Sequence, residues 1–212
     1  MGLIGRFGSV ETLEYAHEVG WAKIDSEIPR AFSLSMTDTV RGGKMENIQW
    51  MHAKGCSLDS SAFQVAAIRG DLEVLRWMRQ VIEQMTLEEY EKMSSDTPGT
   101  DICLHKLCAA AAHGGHIETI AWMLDWAGPE SQVDFGCKYT AEAAGGGHLE
   151  ALKWLRGLDP PCPWNHTACS RAARGGHLKT LQWMVGEGCD WNEVTCAMAA
   201  RGGHLPTLEC TG

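Results

Sequence analysis

The stretch of this chain with the most obvious capacity for chemistry is Cys103-x-His105-x2-Cys108, followed by His113 and His116. Zinc takes four Cys or His ligands in a tetrahedron, often at short spacings of this kind. Two further sets invite the same question. Histidine returns at His116, His148, His177 and His204, each time directly after a glycine, where it could serve as a general base. Cysteine returns at Cys56, Cys162 and Cys189, and again at Cys108, Cys169 and Cys196, and could form a redox set. Gly145-Gly146-Gly147 could be a phosphate-cradling loop, but the Lys-Ser/Thr such a loop needs does not follow it. The chain contains no nucleophile elbow and no kinase signature.

What positions these residues is a repeat. A variant of Gly-His-Leu-Glu-x-Leu-x-Trp-Met begins at Gly8, Gly43, Gly70, Gly115, Gly147, Gly176 and Gly203. Let position zero be the residue after each glycine: Ser9, Lys44, Asp71, His116, His148, His177 and His204. Successive copies are 35, 27, 45, 32, 29 and 27 residues apart, so the clean period is 27 and the longer spacings carry insertions. Cys108 then occupies the slot of Cys169 and Cys196, and His116 the slot of His148. An active site needs one constellation, whereas a structural residue is needed once per copy. The recurring His, Cys and Trp are therefore assigned to the scaffold. Neither a metal, a cofactor nor a catalytic residue is expected.

Apolar residues fall at +1, +4 and +7, as in Leu178, Leu181 and Met184, with an aromatic at +6 that widens this face. That spacing predicts a short helix starting near zero, with the +6 tryptophans in its core. Five copies place Glu at +2, suited to the positive end of the helix dipole. Upstream, alanine pairs such as Ala172-Ala173 follow a small or apolar residue four places earlier, predicting a tightly packed first helix. The glycine between the two helices is expected in the left-handed conformation. A third element, such as Gly188-Cys189-Asp190-Trp191, joins one copy to the next. Its Cys and the apolar residue two places on are expected to pack between neighbours. Asp59, Asn165 and Asn192 follow as turn formers.

The formal net charge of -9 argues against a broad nucleic-acid-binding face. No apolar run is long enough for a transmembrane helix, and the N-terminus has no signal-peptide pattern. Nine cysteines, an odd number, suggest reduced thiols and a place inside the cell, cytoplasmic or nuclear. Residues 1–212 read as a single array of about seven copies, the first two degenerate and suited to an N-terminal cap, the last truncated. Residues 79–100 read as an inserted acidic helix extension and loop, and residues 125–136 as a smaller insertion. With only Leu205 and Leu208 on its core face, the last outer helix is expected to be frayed, or the chain to be a fragment.

The phrases AARGGHLKTLQWM (residues 172–184) and AARGGHLPTL (residues 199–208) resemble the ankyrin repeat. AAHGGHIETIAWM, AAGGGHLEALKWL and AAIRGDLEVLRWM are weaker copies, so the resemblance covers about residues 56–208. An ankyrin unit of about 33 residues opens with Thr-Pro-Leu-His; here that slot reads HTACSRAA or VTCAMAA. The resemblance implies an all-α fold, an α-solenoid of stacked helix–turn–helix repeats with short or absent β-hairpin fingers. It also implies that the turn histidine is a structural hydrogen-bonding residue. The function it implies is non-catalytic protein–protein interaction through the inner-helix and turn surface. The partner expected is a protein, with no nucleic acid and no membrane, and the oligomeric state is taken as monomer by default. Residues that vary between copies on the inner helices are the candidate contacts: Gln64, Lys106, Glu142, His166, Ser170, Arg171, Glu193, Val194 and Met198. The alternative is a regulatory or targeting portion of a larger protein whose catalytic domain lies outside this chain.

Overall fold

The computed structural model describes residues 8–18, 35–85, 104–128 and 136–204. Among these the protein is all-α, with twelve helices and no strand. The chain divides into two compact units, residues 1–103 and 104–212. The N-terminal unit holds α1 (Val10–Glu18), α2 (Met36–Gly42), α3 (Met45–Ala53), α4 (Ser60–Arg69) and α5 (Leu72–Gln84). The C-terminal unit holds α6 (Leu104–Gly114), α7 (Ile117–Ala127), α8 (Lys138–Gly145), α9 (Leu149–Arg156), α10 (His166–Gly175), α11 (Leu178–Gly186) and α12 (Glu193–Gly202).

The local sequence fixes where each first helix begins and ends. Ser35, Asp59, Asn165 and Asn192 are N-caps whose side-chain oxygens accept from backbone N–H groups of Asp38, Ala62, Thr167 and Val194. Three of them, Asp59, Asn165 and Asn192, are the residues read as turn formers; they open α4, α10 and α12 by satisfying donors that have no partner within the helix. At the other end, Gly43, Gly70, Gly115, Gly147, Gly176 and Gly203 all have φ between +70° and +77°. In copies three to seven, the glycine N–H bonds to the second alanine of the pair and the position-zero N–H to the first; Gly176 to Ala173 and His177 to Ala172 are an example, at 3.2 and 3.0 Å. This double bond is the Schellman closure, and it turns the chain directly into the second helix.

In the C-terminal unit the first helices form a row, α6 beside α8, α8 beside α10 and α10 beside α12, while α7, α9 and α11 each pack on their own first helix. In the N-terminal unit α2 lies beside α4, α3 and α5 pack on them, and α1 packs on α3. Ala66, Ala67, Ala111, Ala112, Ala143, Ala144, Ala172 and Ala173 are fully buried, so the pair is small because helices meet there. Positions +4 and +7 are buried in all six described second helices, from Leu13 and Ala16 to Leu181 and Met184. Each leucine or methionine buried this way contributes about 1.5–3 kcal/mol.

Two expectations about the core need correction. Position +1 is half-buried throughout, and the third core position is +3, occupied by Asn47, Val74, Thr119, Ala151 and Thr180. A residue in the first turn sits at the rim, whereas at Asn47 and Thr180 the +3 side chain reaches the preceding copy: Asn47 donates to the Gly8 carbonyl at 3.0 Å and Thr180 to the Gly147 carbonyl at 3.3 Å. The +6 tryptophans Trp50, Trp77, Trp122, Trp154 and Trp183 are only half-buried. They lie at the flank of the helix, where rings and cations cover them: His52 meets Trp77 edge-on at 5.5 Å, and Trp164 meets Trp183 at 5.6 Å. The Arg156 guanidinium in turn lies 4.3 Å from the centre of the Trp164 ring.

The extension read at residue 79 is helical to Gln84, making α5 the longest described helix, with an Arg79–Glu83 ion pair at 2.7 Å. Residues 86–100 of the insertion, residues 129–135 of the smaller one, Cys103 and the last helix at residues 205–212 lie outside the described residues.

Candidate functional site

Three of the recurring histidines, His148, His177 and His204, sit at the joint between copies. His177 Nε2 lies 3.0 Å from the carbonyl oxygen of Gly145, in the first helix of the preceding copy, and His148 bonds the His113 carbonyl in the same relation. The ring fills the space that glycine side chains would otherwise occupy. A Cβ on Gly176 would lie 2.5 Å from His204 Nδ1, and one on Gly115 would lie 2.5 Å from His148. A Cβ on Gly147 would run into His177. The second glycine of the motif is excluded from the other side, since a Cβ on Gly175 would meet the His177 ring at 2.5 Å. Gly-Gly-His is therefore one device: two bare backbones and the imidazole that spans them.

Copy three builds the joint from other residues. Position zero is Asp71, and Arg69 replaces the preceding glycine. Asp71 Oδ2 holds Arg69 Nε at 2.6 Å, and Arg69 Nη1 donates to the Arg41 carbonyl at 2.8 Å. The guanidinium occupies the space above Gly43. A cation on a carboxylate thus makes the bond that imidazole makes elsewhere.

These joints leave a titratable group in a defined state. Burial holds the His148 imidazole below its usual value, and the nearby His116, His113 and His177 push the same way, against the bond to the His113 carbonyl. Because the folded value lies below the ordinary 6.5 or so, the unfolded chain takes up the proton first as pH falls. The stabilisation from neutral His148 is thus complete above about pH 6.5 and is lost as pH drops from there through the folded value. An NMR titration should show His148 half-protonated below pH 6.5. A midpoint at or above 6.5 would contradict this environment.

The candidate contact residues divide between the two units. Gln64 is half-buried on α4 of the N-terminal unit, and the other eight belong to the C-terminal unit. Lys106, His166, Arg171, Glu193 and Val194 are exposed on α6, α10 and α12, and Met198 is half-buried. Glu142 is tied on one side to Arg171 at 2.7 Å and on the other to His113 at 3.5 Å, bridging α10 and α6 across α8. Ser170 is a correction. Its side chain is buried, with its hydroxyl 3.3 Å from that of Thr195, and it joins α10 to α12 instead of facing solvent. Trp191, expected between neighbours, is 43% exposed and lies beside Glu193 and Val194, which is 46% exposed. Its counterpart Trp164 is covered by Trp183 at +6; the +6 residue of the last copy is Cys210, outside the described residues. That change at +6 was the available sign that Trp191 is a surface residue.

Described members of the zinc-like cluster take other partners. His105 Nδ1 is 2.6 Å from the Tyr139 hydroxyl, and Cys108 is buried with its sulfur 3.8 Å from that of Met123. Among the described residues no three His, Cys, Asp or Glu side chains gather as a metal site would require. No described helix is long and apolar enough to cross a membrane.

No protein-family model matches the chain. No curated protein matches it either.

Proposed function

We propose that the chain is a non-catalytic scaffold of short, ankyrin-like repeats that binds another protein through the exposed side chains of its first helices. One observation carries this reading: the joint residues recur from copy to copy, while the exposed first-helix positions do not. The register of Arg171 holds Glu142 in the preceding copy and Met198 in the next; the register of Val194 holds Lys106, Lys138 and Thr167 in the preceding copies. Repeats that keep their packing and vary their surface are how such arrays acquire a specific partner. The odd count of nine cysteines accords with a reducing compartment, the cytoplasm or nucleus.

The test is a comparison of two grouped variants in affinity capture. One replaces Lys106, His166, Arg171, Glu193, Val194 and Met198 with alanine. The other replaces Glu150, Lys153, Lys179 and Gln182, exposed on second helices. Both should keep the wild-type circular dichroism, and only the first should lose the captured partner. Equal capture by all three proteins would reject the reading.

A further inference from the structure

One inter-copy contact has chemistry that the scaffold does not need. Cys169 on α10 and Cys189, in the turn after α11, are both buried, with their sulfurs 3.3 Å apart. Cys189 Sγ is also 3.5 Å from the carbonyl of Asn165, the residue that caps α10. The two positions belong to the repeat. Where Cys169 and Cys189 meet, the preceding copies bring together Thr140 and Cys162, and earlier Met36 and Cys56. The packing is shared, so a small buried residue is enough for it; among these three joints only this one places a thiol on both sides.

We propose that Cys169 and Cys189 are an oxidative modification site, at which a hydroperoxide closes a disulfide between consecutive copies. The Cys169 thiolate attacks the peroxide O–O bond, giving a sulfenic acid and, for hydrogen peroxide, hydroxide, which takes up the proton that Cys169 released on ionising and leaves as water. The sulfur of Cys189 then displaces hydroxide from Cys169 sulfur, the S–S bond forms, and the hydroxide leaves as water with the Cys189 proton. Two thiols are oxidised and one peroxide is reduced to two waters. Within the pair, hydrogen bonding to Cys189 favours the thiolate of Cys169 and holds it below the usual thiol range, while Cys189 is raised. The sulfurs start within hydrogen-bonding distance of each other, so closing the bond needs only a small approach. Cys189 lies in an exposed stretch of chain: residues 185–188 and 190–194 on either side of it are all exposed. The neighbouring joint contains its own control, because Cys162 faces Thr140 and burial pushes its thiol up to about 12.

The experiment treats the folded full chain with hydrogen peroxide, blocks remaining thiols with N-ethylmaleimide, and digests without reduction. Mass spectrometry should find the peptides of Cys169 and Cys189 linked, with the loss of two hydrogens, reversed by a thiol reductant, and Cys162 blocked as a free thiol. The oxidised protein should melt several degrees above the reduced one. Cys169→Thr, which copies the Thr140 arrangement and so preserves packing, should lose both the link and the rise in melting temperature. If Cys169 is recovered as a free thiol while the half-exposed Cys137 and Cys196 are oxidised, the proposal is overturned. It is equally overturned if Cys169 links to any other cysteine.

Discussion

Replacing Gly176 with alanine is expected to destabilise the C-terminal unit by about 3 kcal/mol, and Gly188→Ala by only about 1 kcal/mol. Both glycines close a helix in the left-handed region, at φ +72° and +79°. Both substitutions therefore incur the backbone cost of roughly 1–2 kcal/mol that a side chain meets there. They differ in what surrounds the new atom. Nothing lies within 4 Å of a Cβ on Gly188, whereas one on Gly176 would lie 2.5 Å from His204 Nδ1 and 2.6 Å from Cε1. The imidazole would have to move away from the joint, adding about 1–3 kcal/mol of overpacking. Gly176→Val should be worse again, because a β-branched residue tolerates positive φ least. Urea unfolding of the three variants measures the differences. Equal losses at Gly176 and Gly188 would show that the backbone conformation alone, and not the ring above it, makes glycine necessary.

The part of this architecture that was legible in the sequence is the part decided inside one copy. The Gly at −1, the alanine pair, the +4 and +7 positions and the Asp or Asn before α4, α10 and α12 follow from helix geometry and capping, and repetition made them visible. Contacts between copies were harder to read. That His177 covers Gly147 of the preceding copy, or that Thr180 binds its carbonyl, depends on how far one helix pair is shifted along the next. Periodicity gives the spacing of residues along the chain but not that shift. The same limit explains the errors at the candidate site. Ser170 varies between copies as a contact residue would, yet it faces the neighbouring helix, and its partner Thr195 is 25 residues away. The tryptophans recur as core residues would, yet their half-buried positions are set by the flank of the adjacent element.

Copy three supplies the second large prediction, because it solves the joint with Arg69 and Asp71 where later copies use Gly and His. His177→Asp alone should cost about 3 kcal/mol: the Gly145 carbonyl loses its donor, and the ring's packing over Gly147 and Gly175 is lost. Gly175→Arg alone should cost about 2 kcal/mol, since its Cβ would lie 2.5 Å from the His177 ring. Together the two changes reproduce the copy-three arrangement. With the imidazole gone, the new Cβ meets the Gly145 carbonyl oxygen at 3.1 Å. The new carboxylate can then hold the guanidinium as Asp71 holds Arg69, with the arginine donating to the Gly145 carbonyl as Arg69 donates to that of Arg41. The double variant should therefore cost about 3 kcal/mol, no more than His177→Asp alone, where additive losses would give about 5; that coupling of about 2 kcal/mol is of the size found between residues in direct contact. Denaturation midpoints of the four proteins complete the cycle. Additive losses would mean that the guanidinium–carboxylate pair and the imidazole are not alternative ways of making one joint, and that copy three owes its stability to something else.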